Sequence, residues 1–372
     1  MTRPRVLWLI KGLGLGGAER LLVTMAGKID RDRFDVEVAY LLPWSDRFGP
    51  EFEAIGVETI CLDARWTAEF GWPNRLRRLL RARGYDLIHT HSPVPAVAAR
   101  VLAPAGTRLV HTEHNLWSGY RSPTYLANAA TFGRNAAVFA VSEAVHSSIV
   151  QPRWLAWHAL PPVETLRHGV DLDRLHRGVV ARAAARATLG LAEDTPVIGS
   201  VASFTPQKDH AGLLDAIHRL RSRVPDVQLL LMGSGPLERD IARTVDERGL
   251  GSHVTFLGAR TDVTALLPAL DVFVLGSRFE GLPISLLEAM GSQVACVATD
   301  VGGVPEALRS GREGWLVAPR DPEALADALA ELLADRALRE RLATAGYERV
   351  AADFSIDRAV GRTHVLYNEV LR

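Results

Sequence analysis

The sequence predicts an α/β protein of two Rossmann-like, doubly wound domains facing across a cleft. Its 372 residues are too many for one compact α/β unit and comfortable for two of roughly 150–200 residues each. Short β-type runs alternate with amphipathic helical runs from end to end, the order that makes parallel sheets with helices on both faces. One stretch near residues 176–195 interrupts the alternation, first with an Ala/Arg-rich run and then with turn signals from Gly190 to Pro196. The expected division is residues 1–180, residues 181–355, and a terminal helix over 356–372 that crosses back to the N-terminal domain.

In the first half, strands are expected at Arg5–Ile10, Phe34–Tyr40, Val57–Cys61, Tyr85–His89, Arg108–His111 and Ala137–Val141. Helices are expected at Ala18–Ile29, Pro73–Arg83, Val94–Leu102 and Thr124–Arg134. The second half repeats the scheme with strands at Pro196–Ala202, Val227–Met232, His253–Leu257, Asp271–Leu275, Val294–Ala298 and Trp315–Val317. Helices there are Asp209–Arg223, Leu237–Arg248 and Pro283–Gly291, and the tail reads as helices from Pro322 onward.

Composition excludes several classes. Apolar residues make up 48%, enough for two ordinary cores, and 43 Lys+Arg balance 43 Asp+Glu, so there is no basic field for nucleic acid. Cys61 and Cys296 lie far apart in apolar runs and read as buried reduced thiols. No apolar run is long enough to span a membrane, and Val6–Ile10 is too short for a signal peptide, so a cytoplasmic protein is expected.

The first strand runs into Lys11-Gly-Leu-Gly-Leu-Gly-Gly-Ala-Glu-Arg20 and then a helix. Glycine allows close backbone approach, and the helix start offers free N–H groups to an anion, so Gly16 and Gly17 are candidate phosphate contacts. A nicotinamide-dinucleotide site would also need an acidic residue ending the second strand. Asp35 and Glu37 come too early for that.

The strongest signal is Gly276-Ser-Arg-Phe-Glu280-Gly-Leu-Pro-Ile-Ser-Leu-Leu-Glu288. Pro283 suits the first helical position. Gly281 permits close approach, and the N–H groups of Leu282, Ile284 and Ser285 are candidate donors to an anion. Glu280 belongs to the loop, with Glu288 about 7.5 Å further along the helix axis. Two carboxylates beside an anion site make sense as acceptors for sugar and ribose hydroxyls.

Here the chain resembles family 4 of the glycosyltransferases, retaining enzymes of the GT-B fold. Glu280 and Glu288 stand at the family's Glu-x7-Glu positions, followed by Ala298-Thr-Asp-Val-Gly-Gly-Val-Pro-Glu306 and Gly311-Arg-Glu-Gly-Trp-Leu-Val317. The resemblance implies that the Glu280 region contacts the transferred sugar and phosphates, and that Glu288 holds the ribose. It also implies an acceptor-binding N-terminal domain and a nucleotide-sugar-binding C-terminal domain. Lys208, in Ser203-Phe-Thr-Pro-Gln-Lys208-Asp-His, is expected to open the next helix and, by the resemblance, to stabilise the donor diphosphate. The family often adds an arginine three or five residues before this lysine. Thr205 and Ser203 stand there instead, so either Arg260 or Arg278 substitutes as the cation or phosphate binding is weaker than usual.

Histidines cluster after two strands, in His89-Thr-His91 and His111-Thr-Glu-His114. The resemblance puts His114 close to the transferred sugar; His89 and His91 read better as supporting or core groups than as metal ligands. Arg167-His168-Gly-Val-Asp171 resembles the family's Asn-Gly-Val-Asp element, with a histidine expected to tolerate the same left-handed turn. Gly291-Ser-Gln-Val-Ala295 departs from the family's small-residue, Gly and Pro pattern at Gln293 and Ala295, with no reason visible in the sequence.

The basic stretch Arg75–Arg83 carries Leu76, Leu79 and Leu80 at helical spacing. It could hold the protein to the inner face of an anionic membrane, although packing of those leucines on the sheet is the preferred reading. Trp154 and Trp157 could add an apolar anchor or simply fill a gap under a loop. The expected activity is transfer of a sugar from a nucleotide-diphosphate donor to a hydroxyl of a glycan, lipid-linked or small-molecule acceptor. No cofactor or metal is expected, because lysine and helix dipoles meet the phosphate charge. The alternatives are an epimerase-type enzyme on the same fold and a non-catalytic nucleotide-sugar-binding protein.

Overall fold

A computed structural model of the chain describes residues 3–66, 69, 71–155, 159–178 and 182–372. It divides into two units. Unit 1 comprises residues 1–168 with 356–372, and unit 2 comprises residues 169–355. The first division therefore falls a dozen residues before the one expected at 180. Trp157 lies outside the described residues.

Unit 1 is built on strands β1 (Arg5–Ile10), β2 (Asp35–Tyr40), β3 (Thr59–Cys61), β4 (Leu87–Thr90), β5 (Arg108–Glu113), β6 (Ala137–Ala140) and β7 (Val163–Thr165). Every pairing is parallel and the order is β3-β2-β1-β4-β5-β6-β7. The central strands are apolar on both faces because helices cover both sides of a doubly wound sheet. Cys61, on the edge strand β3, is exposed rather than buried as expected, while Cys296 is buried.

The helix Ile356–Leu371 belongs to unit 1. Ile356, Val360, Leu366 and Tyr367 join the core of Val6, Trp8, Phe34 and Val38. Trp8 Nε1 donates to the Tyr367 hydroxyl at 2.9 Å, His364 accepts from the Asp30 amide at 3.1 Å, and Arg362 pairs with Glu164 at 2.7 Å.

The basic stretch forms helix Gly71–Arg83. Trp72, Leu76 and Leu80 are buried in the core that covers Leu7, Leu9 and Ile88. Arg83 pairs with Glu58 and Glu37, and Arg75 donates to the carbonyls of Leu62 and Asp63. The apolar face is thus packed on its own sheet, and the exposed arginines are Arg77, Arg78 and Arg81.

Unit 2 carries β8 (Val197–Val201), β9 (Gln228–Met232), β10 (Val254–Gly258), β11 (Val272–Leu275), β12 (Ala295–Thr299) and β13 (Gly314–Val317). They are parallel in the order β10-β9-β8-β11-β12-β13. The Ala/Arg-rich run read as a linker contains helix Arg182–Thr188. Its buried Arg186 donates to the carbonyls of Ala192, Glu193, Thr195 and Ala269 and pairs with Asp271 at 2.8 Å.

The structure shows what the departure at Gln293 costs, and gives no reason for a glutamine there. Helix Ile284–Gly291 ends with Gln293 N–H on Met290 O and Val294 N–H on Ala289 O, both at 3.0 Å, with Gln293 left-handed at φ 56°. This is a Schellman closure, whose left-handed position favours glycine. A glutamine there carries a Cβ penalty of about 1 kcal/mol. Gln293→Gly is therefore expected to stabilise the protein by about 1 kcal/mol in urea denaturation; an unchanged or lower midpoint would contradict this account.

Candidate active site

In unit 2, β11 ends at Leu275 and residues 276–283 lead into helix Ile284–Gly291. Thr299, ending β12, donates to the Ser277 carbonyl at 2.6 Å and ties this loop to the neighbouring strand. Buried Ser277 donates in turn to Glu280 Oε1 at 2.6 Å, and Lys208 Nζ meets the same oxygen at 2.5 Å. Both members of the pair are largely removed from solvent, with side chains 16% and 6% exposed. Gly302 is left-handed at φ 53°, and a Cβ there would overlap the Glu280 carbonyl. Gly302 of the 298–306 motif therefore makes room for the Glu280 backbone.

Lys208 does not open the helix as expected. It closes a short 3-10 turn, Pro206–Lys208, Asp209 follows in the left-handed region at φ 47°, and the helix starts at His210. Three bonds hold this turn against the Glu280 loop. Arg278 N–H donates to Gln207 O at 2.8 Å, Gln207 Nε2 donates to Phe279 O at 2.9 Å, and Arg278 pairs with Asp209 at 2.8 Å. Both candidate substitute cations are thus already engaged, Arg278 by Asp209 and Arg260 by Asp262 at 2.5 Å. Buried His210 packs edge-on to Phe204, and its burial, with the Lys208 charge beside it, holds it at about 4.

Pro283 stands one position earlier than expected, as the residue before the helix, with ψ 112°. Gly281, Leu282, Pro283 and Ile284 are buried; Ser285 and Glu288 are half-buried, Glu288 on the second turn of the helix. The backbone entering this helix lies beside a cation, the arrangement that suits an anionic ligand.

In unit 1 the glycine loop packs on residue 45. Leu13 N–H donates to Ser45 O at 2.5 Å, and Cβ atoms on Gly12 or Gly14 would collide with the Ser45 side chain. Gly16 precedes helix Gly17–Ala26, and the Glu19 carboxylate folds back over it. Burial pushes Glu19 up to about 7, against the lowering effects of its own amide and Lys11. Glu37 is consumed by Arg5 at 2.6 Å and Tyr85 at 2.5 Å, which removes it from ribose binding.

The histidines gather at the carboxyl ends of β4, β5 and β7. The Trp8 indole can only donate, so the Tyr367 hydroxyl accepts from it and gives its own proton to His89 Nδ1 at 2.6 Å. His89 then donates from Nε2 to Thr112 at 2.7 Å. His91 Nδ1 lies 3.3 Å from His114 Nε2, and the His114 ring stacks on His168 with centroids 5.3 Å apart. Glu113, the carboxylate between His111 and His114, is buried and accepts from Trp117 Nε1, the Tyr120 hydroxyl and the Asn115 amide. It holds the loop after β5. No group of three or more His, Cys, Asp or Glu among the described residues is arranged to hold a metal ion.

His168 is not in the left-handed region, so the turn tolerance expected of it plays no part. It is 3% exposed. Sequence reasoning also missed Ser277 and Gly302. The glycines of the 298–306 motif were visible as a pattern, but their partner, the Glu280 backbone, was not.

Two consecutive parallel sheets in this strand order, each with its site residues in the loops leaving the strands, are the architecture of GT-B glycosyltransferases. Residues 15–174 match the model of Glycosyltransferase Family 4 and residues 181–349 that of the Glycosyl transferases group 1, and the chain belongs to this family. It is 27% identical, over 92% of each chain, to the GDP-mannose-dependent alpha-(1-6)-phosphatidylinositol monomannoside mannosyltransferase of Mycobacterium tuberculosis. It is 23% identical, over 96% of this chain and 95% of the relative, to the Escherichia coli UDP-Gal:alpha-D-GlcNAc-diphosphoundecaprenol alpha-1,3-galactosyltransferase. Among solved structures, Anabaena Alr3699/HepE in complex with UDP and glucose superposes with a TM-score of 0.83 at 22% identity, covering 98% and 99% of the two chains.

Burial, reinforced by neighbouring histidines, holds His89, His91 and His168 well below their usual range and His114 at about 4. The unfolded chain protonates its histidines near 6.5, before the folded protein does, so acid favours unfolding. Stability is expected to be level above pH ~6.5 and to fall below it by about 1.4 kcal/mol per pH unit for each histidine kept neutral. Urea midpoints at pH ~7 and ~5 test this; equal midpoints would mean the cluster protonates in place.

Proposed function

We propose that the chain is a retaining, metal-independent glycosyltransferase that moves a hexose from a nucleotide-diphosphate sugar to a hydroxyl acceptor. The observation that carries this reading is the Lys208–Glu280 pair beside the backbone entering helix Ile284–Gly291. Lys208 and the N–H groups of Gly281, Leu282, Ile284 and Ser285 receive the diphosphate, with Pro283 shaping the turn. An incoming phosphate competes with Glu280 for the Lys208 ammonium and frees that carboxylate to accept a sugar hydroxyl. Glu288 receives the ribose hydroxyls. Gly16 and Gly17 add backbone donors, an arrangement that the Glu19 carboxyl opposes when ionised and permits when protonated. His114 orients the transferred sugar.

The charge developing on the leaving phosphate is met by Lys208 and fixed dipoles, without a metal in the scheme. Arg278 and Arg260 are paired with aspartates as Lys208 is with Glu280, so each cation exchanges a carboxylate for the phosphate, which favours modest diphosphate affinity. The relatives' names include GDP-mannose and UDP-galactose donors and acceptors built on phosphatidylinositol and diphosphoundecaprenol. They support a lipid-linked acceptor; among the described residues no helix is long and apolar enough to cross a bilayer.

Titration calorimetry with UDP, GDP, ADP and dTDP tests the donor site. One diphosphate is expected to bind, and Lys208→Ala is expected to weaken it by about two orders of magnitude, the scale of a charge-assisted contact. Breaking the buried pair also costs about 3 kcal/mol of stability, so the comparison is made well below the variant's melting point. Binding of a diphosphate equally well by Lys208→Ala would defeat the clamp.

A further inference from the structure

We infer that Ser277 is a positioning residue of the site in unit 2: once a phosphate has drawn Lys208 away, its hydroxyl is the donor left to hold the Glu280 carboxylate aligned for a sugar hydroxyl. The inference rests on the reading that Lys208 and Glu280 receive a sugar nucleotide. It goes beyond that reading by separating recognition of the sugar from recognition of the diphosphate.

Two donors converge on one oxygen. Lys208 Nζ and Ser277 Oγ meet Glu280 Oε1 at 2.5 and 2.6 Å, and no described residue is bonded to Oε2. Ser277 and Glu280 are both buried. The ammonium ends a flexible four-carbon stem and its side chain remains 16% exposed, so it can turn to an incoming anion. The serine hydroxyl is one carbon from the backbone and cannot follow. Of the two donors, Ser277 is therefore the one that stays through the exchange. With Oε1 tied to it, the torsions of Glu280 are set and Oε2 is presented as an acceptor.

The hydroxyl is not needed to hold the loop. The Ser277 carbonyl accepts from Thr299 Oγ1 at 2.6 Å, Arg278 N–H donates to Gln207 O at 2.8 Å, and the Phe279 carbonyl accepts from Gln207 Nε2 at 2.9 Å. The Glu280 carbonyl accepts from Gly303 N–H at 3.4 Å. Residues 277–280 are thus each fixed through the backbone, and among the described residues the Ser277 hydroxyl bonds the carboxylate alone. An ionised carboxylate only accepts, which suits a hydroxyl and repels a phosphate. With a diphosphate alone, water takes the sugar's place and solvates the carboxylate in any rotamer. Alignment counts only when a sugar is bound.

Titration calorimetry of the full chain tests the inference, with UDP, GDP, UDP-glucose, UDP-galactose and GDP-mannose as probes. The unmodified chain is expected to bind one sugar nucleotide more tightly than its diphosphate. Ser277→Ala should weaken that sugar nucleotide about ten-fold, the scale of one hydrogen bond to a charged group, and leave the diphosphate within about two-fold. A serine that only supported the fold would weaken both together. In a Glu280→Gln background, adding Ser277→Ala should cost the sugar nucleotide nothing further, because the group that Ser277 acts through has already been altered. Four results overturn the role of Ser277 while leaving the donor reading intact: equal loss for diphosphate and sugar nucleotide, no loss for either, no sugar nucleotide tighter than its diphosphate in the unmodified chain, or the full loss recurring in the Glu280→Gln background. Silence of every nucleotide, ADP and dTDP included, defeats the donor reading and this inference with it.

Discussion

A carboxylate lowered into the end of a sheet must be given a cation or a proton, and Glu280 is given Lys208. The two come from loops 72 residues apart, leaving β8 and β11, which pair directly in the sheet. That one contact places several demands on unit 2. Ser277 must be buried to reach the same oxygen, Thr299 must fix Ser277, and residue 302 must lack a Cβ so that the Glu280 carbonyl fits. Asp209 takes a left-handed conformation just after Lys208 and is pinned by Arg278. The motifs at 203–210, 276–288 and 298–306 are one construction seen at three places in the chain.

The sheet frame was legible because its strands are apolar on both faces, and runs such as Val197–Val201 or Val272–Leu275 cannot be mistaken for amphipathic helix. What escaped was short or half-buried. Strand β7 is three residues with none buried, and Leu172–Gly178 is only two turns long, too little for any periodicity to show. The spacing of Glu280, Glu288 and Lys208 marked a candidate site, but sequence distance says nothing about which oxygen meets which nitrogen. Cys61 was misjudged because an apolar run was taken as buried, whereas an edge strand leaves one flank open. Gln293 and His168 were both visible as departures, and only the backbone angles separate them. Gln293 occupies a left-handed position and His168 does not.

The two units treat charge differently. Unit 2 concentrates a cation and carboxylates in the loops after β8 and β11, which suits a phosphate-bearing ligand. Unit 1 gathers imidazoles that burial keeps neutral, beside a carboxylate, Glu113, that accepts from Asn115, Trp117 and Tyr120 of the following loop and lies 3.6 Å from His111. A neutral, desolvated group can exchange hydrogen bonds with a hydroxyl without first giving up a counter-ion.

The helix Ile356–Leu371 has a consequence for how the protein is made. Its Ile356, Val360, Leu366 and Tyr367 complete a core whose other members lie before residue 169. On the ribosome that core stays open, with Trp8 and Phe34 uncovered, until all of unit 2 has emerged. Unit 2 is continuous in sequence and can close first. The half of the molecule that is translated first is the half that finishes folding last, so damage at the carboxyl end, such as a premature stop, falls on the amino-terminal domain.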